Sequence, residues 1–174
     1  DSFSNWGPVD GFNWTINLLD SGDGSESSPY QLGNCADLQV VNENLSAHYH
    51  LAGNIDCNGL TVEPIGSSGT PFTGLLNGNG YTISNITYVV LDDNVGLFGN
   101  TSEATITNLY LDNIVIGGNE SVGALAGSTN YTTISYVGLK NADITATGDN
   151  VGGLVGYLGG STIEKSFAED TAVN

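Results

Sequence analysis

Arginine is absent from the 174-residue chain, and lysine occurs only at Lys140 and Lys165. Against 19 acidic residues this leaves a formal net charge of −17 at pH 7. Nucleic acid and anionic membranes are recognised through cationic groups that neutralise phosphate, so the composition argues against both as partners. Methionine is also missing, charged residues make up only 12%, and nothing approaches the 18 consecutive apolar residues of a membrane-spanning helix. Helix-forming Ala, Glu, Lys and Gln are thin. The chain opens on Asp1 with no basic, apolar leader, which predicts a mature or excised piece. Cysteine is limited to Cys35 and Cys57, too few for a four-ligand zinc site.

What replaces these residues is turn and strand chemistry: 25 Gly, 20 Asn, 16 Ser and 16 Thr together account for 77 positions. The 39% of hydrophobic residues arrive in short β-branched clusters, enough to bury the core of one domain.

The chain repeats itself. Val95-Gly-Leu-Phe-Gly99, Val122-Gly-Ala-Leu-Ala-Gly127 and Val151-Gly-Gly-Leu-Val-Gly156 share one pattern, their first valines 27 and 29 residues apart. A second series interleaves with it: Thr82-Ile83-Ser84, Thr105-Ile106-Thr107, Thr133-Ile134-Ser135 and Thr162-Ile163-Glu164. A period of about 28 residues, built from short strand-like runs and Gly-rich corners without helical periodicity, predicts the coil of a β-solenoid. Stacking would then place Ile83, Ile106, Ile134 and Ile163 in one internal column, with uneven spacing absorbed by corner loops such as Leu91-Asp92-Asp93-Asn94. The glycines fit sharp turns or close backbone approaches.

The run Val151 to Phe167 resembles the GLUG repeat of large bacterial and archaeal surface proteins. The stretch ahead of it resembles what precedes those repeats: Leu45-Ser46, Tyr49-His50-Leu51, Asn54-Ile55-Asp56-Cys57, Pro64-Ile65-Gly66, Phe72-Thr73-Gly74 and Asn77 to Ile83. The likeness extends from about Pro29 to Ala168. It implies a right-handed parallel β-helix on a secreted or cell-surface protein, in a family that is mostly adhesin-like, sometimes attached to peptidases, and without catalytic residues in the repeat. The second copy departs from the pattern, reading Gly-Ala-Leu-Ala-Gly. The chain stops at Asn174, about where a further coil would start, which predicts a fragment or a subunit whose open end a neighbour covers.

Three regions are expected. Residues 1–28 form an extension in which Phe12, Trp14, Ile16 and Leu18 alternate as a strand would, followed by a polar linker; residues 29–60 form a disulfide-clamped first coil or cap; residues 61–174 carry the repeats. About five coils would make a rod of about 25 Å.

Cys35 and Cys57 lie 22 residues apart, close to one coil, so stacking could bring them together as a disulfide; buried free thiols are the alternative. His48 and His50 would share one strand face, solvated or, with further ligands, metal-binding. Asp20, Asp23 and Glu26 offer oxygen ligands to structural calcium in what otherwise reads as a solvated linker; no other cofactor is expected. Six Asn-x-Ser/Thr triplets, at Asn13, Asn44, Asn85, Asn100, Asn119 and Asn130, are candidate N-glycosylation sites in a secreted protein, although a composition this rich in Asn, Ser and Thr supplies such triplets by chance.

No catalytic constellation is legible. Asp92-Asp93 is the only adjacent acidic pair before the tail, and a corner loop is its expected setting. The expectation is therefore an extracellular, cell-surface, structural or adhesive module, not an enzyme, meeting copies of itself, the rest of a longer protein, or a surface carbohydrate or protein. The alternatives are a filament subunit joined by strand addition or end-to-end stacking, a polysaccharide-active β-helix enzyme, and an ice-binding solenoid. The last would use stacked hydroxyls of Thr82/Ser84, Thr105/Thr107 and Thr133/Ser135.

Overall fold

A computed structural model describes residues 21–174; the expected strand from Phe12 to Leu18, and Asp20, lie outside the described residues. The chain winds as an all-β parallel solenoid of about four turns, one fewer than the repeat count suggested, and therefore about 20 Å long at the usual strand spacing. The lower coils carry β1 (Tyr30–Leu32), α1 (Cys35–Val40), a 3-10 turn (Val41–Glu43), β2 (His48–Leu51), β3 (Ile55–Asp56), β4 (Leu75–Asn77), β5 (Thr82–Ser84) and β6 (Thr87–Val89). The regular coils follow with β7 (Phe98–Ser102), β8 (Thr105–Gly118), β9 (Val122–Gly123), β10 (Ala126–Asn130) and β11 (Thr133–Ala146). The last comprises β12 (Val151–Gly152), β13 (Val155–Gly159), β14 (Thr162–Glu164) and β15 (Phe167–Val173).

All these pairings are parallel. The main ladder runs β1-β2-β4-β8-β11-β14, with a second face β7-β10-β13 and a short third, β9-β12. It continues from β2 to β4 across residues 60 and 61. Each coil presents its neighbour with the same row of amides and carbonyls, which stacking satisfies.

The register corrects the expected isoleucine column. Ile106 pairs with Ile134, and Ile134 with Ile163, but the residue stacked on the other side of Ile106 is Leu76. Ile83 belongs to a different column, paired with Ile55 and Leu111. The 23-residue gap between Ile83 and Ile106 is thus a step between two strands of the coil, not a compressed repeat. Below the last coil, Leu76, Ile106 and Ile134 in one column and Ile55, Ile83 and Leu111 in the other are all buried. Along the axis runs an aromatic row: Tyr30, Tyr49, Phe72 and Phe98 have successive ring centroids 5.5, 6.3 and 5.0 Å apart.

Four columns of left-handed backbone turn the corners, and most of their residues are not glycine. Asn85, Asn113, Asn141 and Asp170 form one; Asn94, Ser121 and Asn150 a second; Asn108, Tyr136 and Lys165 a third; Glu103 and Tyr131, with Gly160, a fourth. Asparagine tolerates this conformation better than other side-chain-bearing residues, which accounts for part of its abundance. The glycines of the Val-Gly repeats serve close approach instead. A Cβ on Gly127 would overlap the backbone of Asn94 and Val95.

The composition predicts no helix, yet α1 forms. Asn34 accepts from the amides of Ala36 and Asp37, and the Asp37 carboxylate accepts from the Asn34 amide, a reciprocal cap that starts the helix. It buries Leu38 and carries Cys35 to Cys57, where the two are disulfide-bonded with Cα atoms 5.2 Å apart.

Candidate functional site

The last coil differs from those beneath it. Tyr157, Leu158, Ile163, Phe167 and Val173 are all exposed, because no further coil lies on them among the described residues.

The stacked hydroxyl face is not built. Thr105/Thr107 pair with Thr133/Ser135, but their other neighbours are Leu75/Asn77, while Thr82 pairs with Tyr110 and Ser84 with Asp112. Two ranks of hydroxyls remain where three were expected, because Thr82 and Ser84 belong to the other column, with Ile83.

His48 and His50 do lie on one face of β2, half-buried, with Tyr49 and Leu51 buried on the other. Burial, and then the neighbouring His48, hold the His50 imidazole below its ordinary range. Asp23 is committed to a turn: its Oδ1 accepts from the Ser25 amide at 2.9 Å, and hydrogen bonding from Ser25 holds its carboxyl below the usual range. Among the described residues, no three His, Cys, Asp or Glu side chains gather so as to hold a metal ion.

Of the candidate glycosylation sites, Asn100 is 8% exposed, stacked against Ser128 inside the second face, so the folded coil has no room for a glycan there. Asn85 and Asn119 are half-buried and donate their amides to Asp56 and Asp93. Asn44 and Asn130 are exposed, and Asn13 lies outside the described residues.

Asp92 and Asp93 line an open cleft of about 270 Å³ together with Glu63, Ser67, Tyr88 and Asn94. Asp93 accepts from the side chain of Asn119 and the amide of Glu120, so it supports the next coil. Burial, then Glu63 and Asp92, push the Tyr88 hydroxyl above its ordinary range.

A second group, unmarked in the sequence, lies on the main ladder. Tyr110 and Tyr136 are 45% and 50% exposed. With Asn79, Gly80 and Asn108 they line an open cleft of about 440 Å³. Tyr110 also borders a smaller one of about 210 Å³, with Thr82, Asp112, Lys140 and Asn141. Both tyrosines are braced. The Tyr110 ring lies 6.4 Å from that of Phe167, the two crossing over Gly138, whose added Cβ would meet both. Lys165 donates to the Tyr136 hydroxyl at 2.9 Å and places its Nζ 4.9 Å from the ring centre.

Comparison with known proteins extends this picture. The family model of the M26 IgA1-specific metallo-endopeptidase N-terminal region matches residues 34–164. Halomucin from Haloquadratum walsbyi is 40% identical over 153 residues, covering 79% of this chain and 2% of that protein. An immunoglobulin A1 protease from Streptococcus pneumoniae is 33% identical over 144 residues, covering 79% of this chain and 7% of the protease. The chain therefore spans a small fraction of either relative. The crystal structure of an immunoglobulin A1 protease-like protein from Bacteroides ovatus superposes with a TM-score of 0.54 at 15% identity, covering 88% of this chain and 77% of that one, and shares the fold.

Proposed function

Since the chain belongs to the family of the M26 IgA1-specific metallo-endopeptidase N-terminal region, we propose that it is a non-catalytic, extracellular segment of a cell-surface protein, a rigid and adhesive stalk. The observation that carries this reading is the unbroken parallel register from β1 to β14, which gives a stiff body with a continuous core. The disulfide fits an oxidising compartment, and the acidic surface fits solubility outside the cell. The Val-Gly repeats support the narrower reading as a GLUG-type module of adhesin-like proteins. Among the described residues no helix is long and apolar enough to cross a membrane.

Two measurements test the proposal. Incubated with IgA1, the isolated chain should leave the antibody intact, and cleavage would overturn the non-catalytic reading. Beads coated with the folded chain should adhere to mucin-coated surfaces more than beads coated with the heat-unfolded chain, and equal adherence would overturn the adhesive reading.

The exposed apolar residues of the last coil favour one second reading, a subunit that stacks end to end. Sedimentation at rising concentration should then show assembly that Phe167→Glu abolishes, whereas a monomer at all concentrations refutes it.

A further inference from the structure

We infer that the cleft between Tyr110 and Tyr136 is a binding site for a neutral oligosaccharide; this deepens the adhesive half of the proposal and rests on it. The first argument is shape. A tyrosine ring presents a flat apolar face with a hydroxyl at its rim, the complement of a pyranose, which has a C–H face and a hydroxyl rim. Two such rings on adjoining coils, about half exposed, flank an opening of about 440 Å³, within the range of small-ligand sites.

The second argument is preorganisation. Tyr110 is held across Gly138 against Phe167, and Tyr136 is held at its hydroxyl by Lys165. Braced aromatic side chains lose little freedom on binding.

The third is hydrogen-bonding capacity. The Asn79 Nδ2 donates to the Leu51 carbonyl at 2.9 Å and the Asn108 Nδ2 to the Asn77 Oδ1 at 3.2 Å. Neither Oδ1 has a protein donor among the described residues, so both are free to accept from sugar hydroxyls.

Charge and backbone narrow the class. No acid or base lines this cleft, Lys165 is engaged by Tyr136, and Lys140 is paired with Glu169 at 2.9 Å. The net charge of −17 repels an acidic sugar, and the cation at the rim, Lys165, already donates to the Tyr136 hydroxyl. A peptide adding as a strand needs an unpaired edge, whereas β8 and β11 are paired on both sides.

The test uses the full chain on an array of cellotetraose, maltotetraose, mannotriose, chitotetraose and N-acetyllactosamine, with sialyllactose as the acidic arm. Isothermal titration then follows with the best neutral ligand. One neutral sugar should bind, and both Tyr110→Ala and Tyr136→Asn should weaken it by about tenfold or more. Tyr110→Phe should retain binding. Tyr136→Asn keeps the left-handed corner, since Asn108 fills the same position one coil away, so it separates loss of the ring from loss of the fold. Saturation-transfer NMR on the unaltered chain should place the sugar on tyrosine ring protons. No neutral ligand, binding of the acidic arm alone, or full affinity in Tyr136→Asn would overturn the inference. Beads carrying Tyr136→Asn that still adhere would refute this site and leave the adhesive reading standing.

Discussion

Asn113 reaches across one coil to Asn85, its Nδ2 donating to the Asn85 Oδ1 at 2.6 Å. Asn85 passes the contact on, donating to Asp56 at 2.7 Å, so one corner is tied through three coils by side chains alone. Both asparagines have left-handed backbone, and each therefore serves the turn and the ladder together.

These two services can be separated. Asn113→Ala should cost about 2–3 kcal/mol, combining strained backbone with a lost hydrogen bond, whereas Asn113→Gly should cost about 1 kcal/mol because the turn remains easy. Urea unfolding of the pair measures the difference, and equal costs would refute a backbone contribution.

Gly127→Ala drives a methyl into the Asn94–Val95 backbone and should destabilise by at least about 2–3 kcal/mol. Gly53→Ala, where an added Cβ meets nothing within 4 Å, should stay within about 0.5 kcal/mol of the parent. The same unfolding experiment compares them.

Reducing the Cys35–Cys57 bond, which spans a sequence separation of 22, should remove about 3 kcal/mol by freeing the unfolded chain. Hydrogen exchange should show the loss first in β1, α1 and β3, the elements beside the bond, and last in β8 and β11.

Acid should weaken the solenoid in two steps. Burial disfavours protonated His50, so stability falls as pH drops through the ordinary imidazole range and levels off below the group's lowered value. Hydrogen bonding by Asn85 depresses the Asp56 carboxyl, so its contribution is full above the ordinary carboxylate range and disappears as pH falls through the depressed value. His50→Gln should flatten the first step and Asp56→Asn the second, read from urea midpoints across pH.

The solenoid was legible because Val95, Val122 and Val151 recur at nearly constant spacing, and they do stack, Val95 on Val122 and Val122 on Val151. Its register was not, because Thr-Ile-Ser at 82–84 and Thr-Ile-Thr at 105–107 look alike while lying on different strands. Only a longer view, in which Leu76 answers Ile106 thirty positions on, resolves the two. Asn34 to Asp37 did carry a helix signal, a capping pair three residues apart, but six residues are too few for periodicity to mark. Tyr110 and Tyr136 read as ordinary strand formers, and the cleft arises because neighbouring coils bring residues from separate repeats together.

The direction of the ladder has a consequence for load. Every strand lies across the rod, so the inter-coil hydrogen bonds point along it. Tension applied squarely to the two ends is shared by all the bonds of a cross-section at once. The same tension applied through one end of the polypeptide peels a single coil, bond by bond. A tether that grips all the strands of an end coil together would thus hold far more force than one that pulls on its terminal strand alone.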